Sequence, residues 1–92
     1  MREIELTKQF KRDYKKISIT PRHRDVDSVL NPAMTKLALD LPLEHRLHDH
    51  PLSGDYAHHR ECHLKPDLLL IYRKPDDATL RLVRLGSHSE LF

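Results

Sequence analysis

Histidines dominate the chemistry that this sequence offers. The chain holds eight of them; His48, His50, His58, His59 and His63 fall within one short stretch, and His88 follows near the end. Histidine is the side chain whose ordinary pKa lies near neutrality, so a group of them joined by Asp67 and Arg84 supplies proton donors, proton acceptors and a phosphate clamp. RNA suits such a set because it brings its own nucleophile. A base that takes the proton from a ribose 2′-hydroxyl lets that oxygen attack the adjacent phosphorus, while an acid protonates the departing 5′-oxygen. The products are a 2′,3′-cyclic phosphate and a 5′-hydroxyl. The reaction asks for titrating side chains and a cation at the phosphorane, and for neither Mg²⁺ nor an activated water.

Zinc is the competing chemistry, because His48-Asp49-His50 and the adjacent Cys62-His63 contain acceptable ligand types. The spacing argues against it: there is one cysteine, no Cys-x-x-Cys pair and no His-Glu-x-x-His, so no metal and no other cofactor is expected. Taken singly, His45, His48, His58 and His59 read as surface polar residues. In a strand, Cys62 and His63 point to opposite faces, which makes Cys62 a small core residue. Asp67 after Pro66 is also a natural turn cap. Arg84, two positions from Leu82 and so on the same strand face, is also a natural ion-pair partner.

These residues need elements to hold them. Ile4 and Leu6 alternate with Glu3 and Glu5 as a short strand, and Thr7 can cap a helix starting after it. Leu6, Phe10, Tyr14 and Ile17 then follow at helical spacing. From Val26 to Leu41 apolar residues repeat with helical period, interrupted by Pro32, which either kinks the helix or sits at the first position of a new one capped by Asn31. Glu44 to Asp55 is a polar, histidine-rich loop. Tyr56–His63, Asp67–Arg73 and Thr79–Leu85 read as strands joined by turns short enough for antiparallel hairpins. The order predicts an α+β fold: a short N-terminal strand and two helices packed on an antiparallel sheet.

At 92 residues, with 38% apolar and 33% charged residues, the chain is expected to form a single domain, 1–92, with a modest core and no large buried pocket. The longest apolar run, Leu68 to Tyr72, is far short of the roughly 20 residues that span a bilayer. The start lacks an export signal and one cysteine cannot form an internal disulfide, so a cytoplasmic protein without a membrane partner is expected. Charge is uneven. Between Lys8 and Arg24 seven cations, Lys11, Lys15 and Lys16 among them, face the single acid Asp13, a face that would attract a polyanion such as RNA.

Three blocks give the sequence a wider context. Asp49-His50-Pro51-Leu52-Ser53-Gly54, then His63-Leu64-Lys65-Pro66-Asp67-Leu68-Leu69-Leu70-Ile71-Tyr72, and Arg84-Leu85-Gly86-Ser87-His88-Ser89-Glu90-Leu91-Phe92 closely resemble the YafQ branch of the RelE-like toxins. The order and spacing of the blocks are similar too, and the resemblance extends over nearly the whole chain. It implies the RelE-like microbial RNase fold and a ribosome-dependent messenger RNA endonuclease that inhibits translation. It also implies a cognate, DinJ-like antitoxin, and contacts with the ribosome, its rRNA and the message. Matched residue by residue, it points to His50, His63, Asp67, Arg84 and His88 as catalytic and to Phe92 as a substrate-stacking ring. On that basis Asp67 and His63 stand on the base side, His88 or His50 is the acid, and Arg84 meets the phosphate. Leu68 departs from the pattern, since YafQ-type proteins often carry tryptophan there.

Two other readings are distinguishable by experiment. A RelE-fold protein that inhibits by binding, as ParE-like gyrase poisons do, has no need of the histidine, aspartate and arginine set. A zinc-stabilised nucleic-acid-binding module would carry metal on purification.

Overall fold

The computed structural model describes all 92 residues, Met1–Phe92. In chain order the elements are β1 (Glu3–Leu6), α1 (Lys8–Ser18), α2 (Val26–Ala38), β2 (His50–Pro51), β3 (Arg60–Lys65), β4 (Leu68–Arg73), β5 (Thr79–Gly86) and α3 (His88–Leu91), with 3₁₀ turns at Pro21–His23, His45–Leu47 and Gly54–Tyr56. The strands form one sheet in the order β1-β5-β4-β3-β2. The fold is α+β, as the pattern predicts, and β3, β4 and β5 form the antiparallel meander. The sheet as a whole is mixed, because β1 lies parallel to β5 with Ile4 opposite Leu80 and Leu6 opposite Leu82. No hairpin turn constrains that pair: the chain between them runs through both long helices and three other strands.

Thr7 caps α1 as expected, its hydroxyl accepting from the Phe10 N–H at 3.0 Å. The same hydroxyl donates to the Val83 carbonyl at 2.9 Å, so the cap also fastens the start of α1 to β5. Phe10 and Ile17 are buried and Tyr14 packs beside them, while Leu6 belongs to the exposed edge strand and not to the helical stripe. α2 runs unbroken through Pro32. It buries Val26, Leu30, Ala33 and Leu37 at helical spacing, and packing of that face offsets the hydrogen bond that proline cannot donate.

The helix stops at Ala38, short of Leu41, for a local reason. Asp40 adopts a left-handed conformation (φ 57°), and the Leu41 and Asp40 N–H groups return to the Lys36 and Leu37 carbonyls at 2.8 and 3.2 Å. The Asp40 carboxylate then accepts from Arg2 Nε at 2.8 Å and Lys74 Nζ at 2.7 Å, tying the helix end to β1 and to the β4–β5 loop.

One face of the sheet carries the core. Cys62, Leu64, Leu68, Leu70, Tyr72, Leu80, Leu82 and Leu85 pack under α1 and α2. Each fully buried leucine contributes about 1.5–3 kcal/mol relative to exposure. On the opposite face Leu69 and Ile71 are covered only by Leu91 of α3, with Leu52, Tyr56 and Val83 at their margin. No helix is long and apolar enough to cross a membrane.

Candidate active site

Strand alternation assigns Glu61 and His63 of β3 to the lightly covered face. Cys62 faces the helices and is fully buried, and burial pushes its thiol up to about 12. Its neighbours Glu61 and His63 face the other way, opposite Ile71 and Leu69. In β5 the alternation is broken. Tyr72 pairs with Leu82 while the preceding Ile71 pairs with Arg84, so Val83 is an extra residue in a bulge. Arg84 therefore lies on the face of Ile71, opposite to that of Leu82, which corrects the same-face expectation from simple counting.

The consequence is a row across four strands. His50 of β2, Glu61 of β3, Ile71 of β4 and Arg84 of β5 are successive register partners. By strand spacing, the backbones of Glu61 and Arg84 stand about 10 Å apart. The next row is His63, Leu69 and Gly86. Immediately beyond Gly86 the chain turns into α3, capped by a reciprocal pair in which the Ser87 hydroxyl accepts from the Glu90 N–H and the Glu90 carboxylate accepts from the Ser87 N–H. A Cβ at residue 86 would stand 3.3 Å from both Glu90 Oε1 and Leu91 Cδ2, so glycine admits the close return of α3 over the sheet.

At one end of the row, Glu61 is only 3% exposed and sits between two histidines. His63 Nε2 donates to Glu61 Oε1 at 3.0 Å, and His50 Nε2 lies 3.8 Å from the same oxygen. His50 Nδ1 in turn donates to the His48 carbonyl at 2.6 Å. Because a carboxylate accepts, its bond to His63 Nε2 leaves His63 Nδ1 as the basic nitrogen. Glu61 was not foreseen. Its signal was the two-residue spacing to His63, which puts both on one strand face. A groove of about 760 Å³ opens beside these residues, lined by Arg46, Leu47, His48, His50, His63 and Lys65 among others.

At the other end, the His88 and Phe92 rings are 5.1 Å apart and Phe92 meets Tyr56 edge-on at 5.8 Å. Phe92 is 55% exposed and its N–H donates to the His88 carbonyl at 3.0 Å, while the His88 ring makes no hydrogen bond within the chain. Arg84 Nε and Nη2 donate to the two oxygens of Asp13 at 2.7 and 3.3 Å, and this contact pushes the guanidinium pKa up. The expected residues thus fall into two groups on one face, His50 with His63 and His88 with Phe92, linked by the row that ends in Arg84. Asp67 occupies the β3–β4 turn and accepts from Arg22 at 3.1 Å, with no hydrogen bond to His63. Lys11 and Lys15 are exposed on α1, whereas Lys16 donates to Glu90 at 2.9 Å.

The zinc set read from sequence is not assembled, since Cys62 faces the core and Asp49 accepts from Tyr72 and Arg60. A different set is: His50, Glu61 and His63 offer ligand atoms within 4.8 Å of one another.

A family model described as the bacterial toxin of type II toxin-antitoxin system, YafQ, matches residues 2–92. The chain is 40% identical over 92 residues to the mRNA interferase toxin YafQ of Escherichia coli K12, covering 99% of this chain and 96% of that protein. Among solved structures it is similar to the E. coli DinJ-YafQ complex (TM-score 0.85, 39% identity, 100% and 99% of the two chains). It is also similar to a metal-bound toxin from Helicobacter pylori (TM-score 0.85, 45% identity, 100% of both chains).

Proposed function

Because the chain belongs to the YafQ family of bacterial type II toxins, we propose that it is an endoribonuclease that cuts messenger RNA on the ribosome and so arrests translation. The observation that carries the reading is the row His50–Glu61–Ile71–Arg84 with His63 beside it, which sets proton-transfer groups and a cation on one open face. His63, oriented through Nε2 by Glu61, takes the ribose 2′-hydroxyl proton at Nδ1. The resemblance puts Asp67 on the base side with His63; on the present reading Glu61 is the carboxylate that orients His63, and Asp67 with Arg22 contacts the message. His88, whose ring nitrogens are free, protonates the leaving 5′-oxygen. His50, engaged at Nδ1 by the His48 carbonyl, supports the charge that builds on phosphorus. Arg84 binds the phosphorane oxygens, and Phe92 with Tyr56 offers a surface for a splayed base.

Residues 1–92 act as one unit in the cytoplasm, where ribosome and message are met. Lys11 and Lys15 contact rRNA through its phosphates, and a DinJ-like antitoxin is the partner that silences the toxin. The His50, Glu61 and His63 set fits a transition metal by ligand type and spacing. A bound ion would supply Lewis acidity there, while the acid-base route uses the same side chains without it.

Mapping 5′ ends of transcripts after brief induction tests the function. Cuts confined to translated frames are expected. Growth arrest with intact transcripts would sink the nuclease and favour inhibition by binding.

A further inference from the structure

Asp13 is the single acid among the cations of the basic segment, and it is turned inward, its side chain 12% exposed. Three donors converge on it: Arg84 Nε, Arg84 Nη2 and, at 3.0 Å, the Leu85 N–H. The last is a backbone group of β5 beyond the end of β1, where no strand is present to accept it. The pair lines a groove between α1 and α3 together with Arg12, Lys16 and Glu90.

A guanidinium has five donors fixed in one plane. Asp13 engages the Nε edge and one Nη2 proton, which leaves the protons of Nη1 and the second proton of Nη2 outside that contact. Those remaining donors form the edge that binds phosphate in forked fashion.

We infer that Asp13 is the positioning residue for Arg84: it holds the guanidinium by its Nε edge and so presents the opposite Nη edge to the scissile phosphate. The inference rests on the nuclease reading above. It also gives α1 a part in the chemistry as well as in docking, since the helix that faces rRNA is the one that fixes the arginine. A displacement of about 1 Å in a positioned group costs about 10²-fold in rate.

The test is single-turnover cleavage on programmed ribosomes by the wild type, Asp13→Asn, Arg84→Ala and the double variant. Asp13→Asn should bind ribosomes like the wild type yet cut about 10- to 100-fold more slowly. The double variant should be no slower than Arg84→Ala, because Asp13 has nothing left to act through. Asp13→Glu, which keeps the charge but moves the carboxylate by one methylene, should also lose rate without losing ribosome affinity, and it carries the same comparison if Asp13→Asn folds poorly. Wild-type rates in both Asp13 variants, or losses that multiply in the double variant, would overturn the inference. A wild-type chain that leaves the message intact would overturn the nuclease reading with it, so the two failures are distinct.

Discussion

His63 Nε2 lies 3.0 Å from Oε1 of Glu61, a carboxylate almost wholly withdrawn from solvent. A buried carboxylate beside an imidazole fixes the ring and its tautomer, as the aspartate of a catalytic triad does. Glu61→Gln keeps the shape and removes the charge, so it should slow cleavage on programmed ribosomes by about 10²-fold or more while leaving ribosome binding unchanged. An unimpaired Glu61→Gln variant would remove Glu61 from the mechanism.

Acid should unfold the protein through two identifiable carboxylates. Hydrogen bonds from Lys74 and Arg2 hold Asp40 down to about 2, and the Ser87 N–H with Lys16 holds Glu90 down to about 2. A depressed folded-state pKa means that the unfolded chain binds protons first as pH falls. The stabilisation is complete above the ordinary carboxylate range and disappears on descent from about pH 4.5 to 2. Thermal midpoints followed by circular dichroism should fall across that window, and the Asp40→Asn, Glu90→Gln double variant should fall less steeply. Equal steepness would contradict the assignment.

The short helix α3 begins at His88, is followed by Phe92 and depends on the return at Gly86. Ser87→Ala removes the N-cap, a loss of about 1 kcal/mol for that turn, and Gly86→Ala forces a methyl against Glu90 and Leu91. Both substitutions should lower the cleavage rate by a larger factor than their small shift in melting midpoint suggests. If activity instead tracks stability in both, α3 has no special part in placing the acid.

Lys11, Lys15 and Lys16 of the basic helix should not behave alike. Lys11→Glu with Lys15→Glu should weaken ribosome association, most at low salt and with a shallower salt dependence than the wild type, and leave single-turnover rate on saturating ribosomes unchanged. Lys16→Glu breaks the bond to Glu90 and so should lower that rate as well. Identical profiles for Lys15→Glu and Lys16→Glu would show that the Glu90 contact has no consequence.

Much of this was legible in the sequence. The apolar run of β4, the alternation of Leu80 and Leu82 at the start of β5 and the Thr7 cap are local signals, and the structure follows them. What sequence could not supply is non-local. β1 joins β5 in parallel because the chain travels through two helices before β5 forms. Pro32 sits inside a continuous helix because packing of Leu30, Ala33 and Leu37 outweighs one missing amide. The bulge at Val83 depends on cross-strand pairing, so counting from Leu82 assigned Arg84 to the wrong face. Glu61 lies beside Cys62 and two residues from His63, and only the pairing of β2 with β3 brings His50 to it.

The central claim is that the ribose 2′-hydroxyl is the nucleophile and that His63, held by Glu61, removes its proton. The most direct measurement is the chemistry of the cut ends on a message carrying a single 2′-deoxy substitution at the cleaved nucleotide, beside the unmodified message. The account predicts a 2′,3′-cyclic phosphate and a 5′-hydroxyl from the unmodified message, and no cut at the substituted nucleotide while ribosome binding persists. A 5′-phosphate end, or full cleavage of the 2′-deoxy message, would contradict it and point to an activated water.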